Sequence, residues 1–181
     1  MTAADLARAL NCPLPRAENW ADCLTAAMSL FVIDSALRQA AFLAQIGHES
    51  GRLQFVRELW GPTDAQRGYE GRADLGNVKP GDGYRYRGRG LIQTTGRANY
   101  ADTREGLLQF VPLAPDFEAT PEMLEAPKWA ALSAGWFWYA HGLNDLADGD
   151  QFMTITRRIN GGTNGYADRV ALWDGAKAVL A

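Results

Sequence analysis

The segment from Lys128 to His141 constrains the fold most. Within one short stretch it carries Trp129, Leu132, Trp136, Phe137, Trp138 and Tyr139, and it stops at Gly142. A helix so rich in large apolar side chains is stable only when other elements cover it. The spacing therefore predicts a core helix, with one of Trp136, Trp138 or Tyr139 left to line a groove and His141 capping the C-terminus. Helices able to cover it surround it in sequence. Thr2 can cap a helix to Leu10, and Asn11 to Pro15 break it. Arg16 to Phe31 places Trp20, Leu24, Ala27, Met28 and Phe31 on one face. Thr120-Pro121-Glu122 reads as a helix start. After the Asp148-Gly149-Asp150 turn, Phe152 to Ile159 and Tyr166 to Leu180 are predicted helices, the last with Val170, Trp173, Ala176 and Val179 or Leu180 inward.

A further helix begins at Asp34, which can cap it, and runs to Gly47-His48-Glu49-Ser50-Gly51. Leu37, Ala41, Ala44 and His48 recur at helical spacing. Phe42, Ile46 and Glu49 form a second stripe that ends in a carboxylate. A carboxyl beside apolar groups is desolvated, which favours its protonated form and suits it to act as a general acid. Gly51 offers a stop. Glu58 comes nine residues after Glu49. On an unbroken helix it would lie on the opposite face, roughly 13 Å along the axis. With a break at Gly51 the chain can return and set the two carboxylates across a groove. Spacing alone fits equally a helix-end carboxylate and an unrelated surface charge.

Gly61 to Gly90 lacks helical periodicity and is rich in Gly, Pro, Asp and Asn. It is expected to be loop, with at most a small hairpin around Gly81-Asp82-Gly83. So long a loop in a compact domain is usually functional or disordered; its tyrosines and its place just after the carboxylates favour function. It runs into Tyr84-Arg85-Tyr86-Arg87-Gly88-Arg89-Gly90-Leu91-Ile92-Gln93-Thr94-Thr95-Gly96-Arg97-Ala98-Asn99-Tyr100. Interleaved Tyr and Arg can stack on single-stranded nucleic acid, but a net charge of −3 argues against that partner. Gly88-x-Gly90 does not open a dinucleotide site, because Gln93 stands at the third glycine position. The remaining readings are a plain strand-and-turn or a groove floor. In the latter, Gln93 and Asn99 offer amides to hydroxyl and acetamido groups, and Thr95 offers a hydroxyl to a water.

With 181 residues, 47% apolar and 22% charged, the chain is expected to form a single domain over 1–181, helices within 1–33 packing on a core of 34–181. Met1 to Leu10 carries Asp5 and Arg8 rather than a basic start and an apolar run, so no secretory signal is read there. No segment is long and apolar enough to span a membrane. Synthesis in a cytoplasm is expected, with action elsewhere only after release. The two cysteines, Cys12 and Cys23, are expected to be buried free thiols. His48-Glu49 does not begin a zinc motif, since Arg52 stands where the second histidine belongs; no metal site is expected.

Together, His48-Glu49-Ser50, Gly88-Arg89-Gly90-x-Ile92-Gln93-x-Thr95-x-x-x-Asn99-Tyr100, Ile159-Asn160-Gly161-Gly162 and Ala167-Asp168-Arg169 resemble glycoside hydrolase family 19. This chitinase family also contains phage endolysins and bacterial cell-wall hydrolases. The resemblance runs in order from about Asp34 to Leu180. It implies a mainly α, lysozyme-like, two-lobed domain with a small loop or β-hairpin region beside the cleft, an inverting mechanism and no cofactor. Residue by residue, Glu49 resembles the general acid, Glu58 the base, and Thr95 the residue that holds the attacking water. Gln93, Asn99 and Asn160 resemble groove residues for N-acetyl sugars, with His48 and Tyr86 counted beside them. Arg169 resembles an arginine that pairs near the base. Plant chitinases space the second glutamate farther away, nearer Glu70, which is the alternative base; their disulfides are absent here. The wording from Tyr86 to Tyr100 is most similar to phage-type members, which implies a monomeric muramidase acting on peptidoglycan strands. Chitin is the alternative substrate, and a non-catalytic glycan-binding protein the alternative function.

Overall fold

The structure, a computed structural model, describes all residues, 1–181. Helices form where caps and apolar spacing coincide. α1 (Ala3–Leu10) starts at Thr2 as expected: its hydroxyl accepts from the Asp5 N–H at 3.1 Å, and the Asp5 carboxylate accepts from the Thr2 N–H at 3.3 Å. The helix expected over 16–31 is divided into α2 (Leu14–Glu18) and α3 (Ala21–Leu30). At the joint the Trp20 N–H donates to the Ala17 carbonyl, a tighter turn that carries Trp20 inward to 5% exposure.

α4 (Ala36–Glu49) is capped by Ser35, one residue later than expected. The Ser35 hydroxyl accepts from the Arg38 N–H at 3.2 Å, while Asp34 pairs with the Arg38 guanidinium instead. Every residue from Ala40 to Gly47 is buried. The helix that carries the glutamate is thus covered on all sides, although Leu37, expected on its inward stripe, is exposed. Small side chains make this possible. α1 and α11 (Tyr166–Leu180) pack on α4 so closely that a Cβ at Gly47 would lie 2.8 Å from Leu10 and 3.4 Å from Leu172.

α8 (Pro127–Ala140) is the predicted core helix only along its first part. Trp129 to Gly135 and Trp138 are buried, and Trp138 meets Phe42 of α4 edge-on at 5.4 Å. Trp136 and Phe137 are half-buried, and Tyr139 is exposed. Beyond Gly142 come α9 (Leu143–Asp148) and α10 (Phe152–Asn160), with Phe152 stacked on Trp173 of α11 at 4.3 Å. The buried apolar side chains form one cluster. Cys12 and Cys23 are free, each only half-buried. No helix is long and apolar enough to cross a membrane.

The segment 61–90 is mostly irregular but holds two single-turn helices, α5 (Asp64–Arg67) and α6 (Asp82–Arg85), and a 3-10 turn at Ala73–Leu75. The hairpin expected at Gly81-Asp82-Gly83 does not form. Asp82 is 2% exposed, its carboxylate taken by Arg97 at 2.5 and 3.0 Å and by the Lys79 N–H at 3.0 Å, so the chain coils here. The β-pairing lies further on: Arg89 forms antiparallel bridges with Arg57 on one side and Thr94 on the other. α7 (Arg97–Leu108) comes next, and a 3-10 turn, Pro121–Glu125, leads into α8.

Candidate active site

Glu49 is the last residue of α4, and the chain reverses directly beyond it. Gly51, Arg52 and Leu53 all take positive φ (56°, 61° and 63°), rare for the two with side chains. Ser50 holds this turn: its buried hydroxyl donates to the Ile46 carbonyl at 2.6 Å and accepts from the Leu53 N–H at 2.8 Å. Residues 56–58 then pair with 88–90. The Glu58 N–H donates to the Gly88 carbonyl at 2.9 Å, and the Gly90 N–H to the Val56 carbonyl at 2.9 Å.

At the end of α4, Glu49 meets a cation rather than the all-apolar surround expected from the sequence. Phe42 and Ile46 are buried on its stripe, but Arg169, 0% exposed, donates from Nη2 to Glu49 Oε1. This corrects the expectation that Arg169 pairs near Glu58. Arg169 also donates to Gln45 Oε1 at 2.5 Å and to the Asn164 carbonyl at 3.1 Å, and Gln45 donates to Thr156 at 2.8 Å. A fully buried guanidinium with three acceptors is held in one place. The physical reason for the reassignment is proximity: the start of α11 packs on the end of α4. Next to Arg169, Asp168 bonds His48 Nδ1 at 2.7 Å and accepts from Arg52 at 2.5 Å. Burial pushes the Asp168 carboxyl up, but those two hydrogen bonds outweigh it and its pKa is lowered. The ionised carboxylate requires the proton on His48 Nδ1. The ring lies on Gly165, where a Cβ would overlap it.

Glu58, on the returning segment, is held by three donors. Oε1 accepts from Gln66 Nε2 at 3.0 Å and from the Tyr69 hydroxyl at 3.3 Å; Oε2 accepts from the Gly88 N–H at 3.2 Å. Burial, then the Glu58 charge and hydrogen bond, raise the Tyr69 pKa, so the phenol stays a donor. Gly88 also opens the space beside the carboxylate: an added Cβ would lie 2.7 Å from Gln93 Oε1 and 3.3 Å from Thr95 Oγ1. Thr95 donates its hydroxyl proton to the Gln93 carbonyl at 2.8 Å. Its oxygen is thereby left as an acceptor toward the same space.

Asn99 is exposed and donates to the Thr95 carbonyl at 2.6 Å. Gln93, Thr95 and Asn99 line a cavity of about 340 Å³ with Ile159 and the emergent Trp136 and Phe137. Neither Glu49 nor Glu58 lines it; Gln93 and Thr95 connect it to Gly88, which bonds Glu58. Asn160, at the end of α10, has a buried Oδ1 with no partner in the protein, an acceptor that a bound donor would satisfy. Tyr86, expected on the groove, is a core residue: 1% exposed, bonded to the Glu118 carbonyl and packed on Tyr100. Both oxygens of Glu70, the alternative base, accept backbone N–H groups, from Gly81 at 2.6 Å and Gly83 at 2.8 Å. Gln45, Gln66, Tyr69 and Asp168 have no role that spacing along the chain reveals. Only Asp168, inside the Ala167-Asp168-Arg169 motif, carries a signal that could mark it.

A helical fold with two partly exposed carboxylates on separate segments, beside amide and hydroxyl groups, carries the side-chain types that a glycosidase uses. The comparisons agree. The chain is 36% identical to a glycosyl hydrolase family 19 domain-containing protein of Haemophilus influenzae, over 166 aligned residues covering 76% of this chain and 77% of the relative. It is 36% identical to an endochitinase of Arabidopsis thaliana over 68% of its own length, but spans only 39% of that protein. The chain belongs to glycoside hydrolase family 19 and is a chitinase-like glycoside hydrolase. Its fold is similar to that of a bacterial family 19 chitinase (TM-score 0.73, 22% identity, 99% of this chain and 94% of that one). It is likewise similar to chitinase C of Streptomyces griseus (TM-score 0.72, 22% identity, 99% and 76%). The mainly α, lysozyme-like architecture is thereby shown. No protein-family model matches the chain.

Proposed function

We propose that this protein is a peptidoglycan hydrolase that cuts the β-1,4 bond between N-acetylated amino sugars with inversion. Glu49 donates a proton from Oε2 to the glycosidic oxygen; Arg169 holds the other oxygen and so aims the carboxyl. Glu58 accepts a proton from a water that Thr95 Oγ1 holds, and that water attacks the anomeric carbon from the opposite face. Gln93, Asn99, Asn160 and His48 hold the sugars. The observation that carries this reading is the Glu58–Gly88–Thr95 arrangement. A carboxylate and a hydroxyl whose proton is already committed border one space, which leaves acceptors only, and a nucleophilic water needs acceptors. The Arg169 bond to Glu49 and the unpartnered Asn160 Oδ1 support the roles given to Glu49 and Asn160.

Peptidoglycan is preferred because the Tyr86–Tyr100 wording resembles phage-type members. Action as a monomer on the wall, after release from a cytoplasm, is part of the same proposal. Chitin is the second reading, favoured by the endochitinases among the relatives. Glu49→Gln should lower the release of reducing ends from purified peptidoglycan by about 10²–10⁴-fold, the usual contribution of a general acid. Undiminished release would remove Glu49 from the mechanism. Mass analysis of the products should show new sugar reducing ends; free peptide stems would point to amide cleavage. Chitin digested in parallel decides between the substrates.

A further inference from the structure

The space lined by the groove residues Gln93, Thr95 and Asn99 runs on beyond the part that the hydrolytic step uses. The 340 Å³ cavity begins at Thr95 and Asn99 and continues between α7 and α8, past Asp102 to Trp136 and His141. A second cavity of about 330 Å³ adjoins it, sharing Asp102 and Trp136 and running on past Glu105 and Gln109 to Tyr139. The Trp136 indole divides the two. It rests on Gly106 of α7, where a Cβ would overlap it. Glycine is a poorer helix former than alanine, so α7 is weakened at the position that seats this half-buried ring. His141 Nδ1 donates to the Phe137 carbonyl at 2.8 Å, which leaves Nε2 free to accept. Asp102 and Glu105, both exposed, are one helical turn apart along the same path.

We infer that this branch is a subsite for the peptide stem of peptidoglycan, the substituent that chitin lacks. The inference rests on the proposed peptidoglycan substrate and extends it. Three features agree. The branch starts at residues proposed to hold sugar, so a substituent on that sugar enters it without crossing other surface. Its length suits the occupant: Asn99 to Gln109 spans roughly 15 Å of helix, and four extended stem residues reach roughly 13–14 Å. Its chemistry suits it too. Trp136 and Tyr139 face the methyl groups of alanine residues, and Asp102 and Glu105 face the free amino group of the diamino acid. An unbranched chain of N-acetylglucosamine carries no substituent that reaches past Asn99.

The test compares stem-bearing peptidoglycan strands with the same strands stripped of their stems by an amidase, using the wild type and the Asp102→Lys/Glu105→Lys double variant. Both positions are exposed, so the fold should persist, with the circular dichroism melt as the control. The wild type should cleave stem-bearing strands at least tenfold more efficiently than stripped ones. The variant should lose at least fivefold in kcat/KM on stem-bearing strands, through KM, and nothing on stripped strands. Equal losses on both would make the branch a sugar subsite, and no loss on either would make it unused; each overturns the inference while the proposed substrate stands. A wild type that cuts chitin but neither form of peptidoglycan overturns the proposed substrate, and this inference with it.

Discussion

Gln45→Leu isolates the contact that links the buried Arg169 to α4. Gln45 is 0% exposed; its Oε1 accepts from Arg169 Nη1 at 2.5 Å and its Nε2 donates to Thr156 Oγ1 at 2.8 Å. Leucine is similar in volume, so the cavity contribution is small. The guanidinium keeps Glu49 and the Asn164 carbonyl but loses one of three acceptors. A hydrogen bond to a charged group contributes about 1.5–3 kcal/mol. Thr156 remains bonded to the Phe152 carbonyl, and the new apolar side chain offsets part of the loss. The net expectation is about 2 kcal/mol, which for a chain of this size lowers Tm by roughly 4–8 °C. Urea unfolding followed by circular dichroism measures it. In the proposed mechanism Arg169 positions the acid and not the sugar, so hydrolysis should fall in kcat with little change in KM. A loss below about 0.5 kcal/mol, or a change confined to KM, would refute the idea that Gln45 sets Arg169 and through it Glu49.

Two further outcomes are expected. Ser50→Ala leaves the buried Leu53 N–H without its acceptor at the left-handed turn and should cost about 1–3 kcal/mol; activity recovered by Ser50→Thr would tie the loss to the hydroxyl. The hydrogen bond from Arg97 holds the Asp82 carboxyl below its ordinary range against the opposing effect of burial, so its contribution to stability is complete above about pH 5 and is lost as pH falls toward the folded pKa. The urea midpoints of wild type and Asp82→Asn should therefore converge between pH 7 and pH 3, and a gap independent of pH would contradict this role.

Much of the helical frame was legible because caps and apolar periodicity are local. Thr2, Pro121 and Gly142 mark helix ends where the structure has them, and Tyr166 to Leu180 is helical as read. The departures fall where neighbours decide. Trp20 turns inward and breaks a continuous helix. Asp82 coils a turn that composition alone would make a hairpin, because Arg97 lies within reach. Tyr86 shares its motif with groove residues, yet it faces Tyr100 in the core.

By itself the sequence determined which segments coil, that an acidic residue ends one of the helices, and the motif order that marks the family. These depend on residues near one another along the chain. Only the tertiary structure decided that Arg169 bonds Glu49, that Gln66 and Tyr69 hold Glu58, and that Trp136 stands between two cavities beyond Thr95 and Asn99. Partners distant in the chain meet only when helices pack, and a hydrogen bond is selective over tenths of an ångström, a scale that spacing along the chain does not encode.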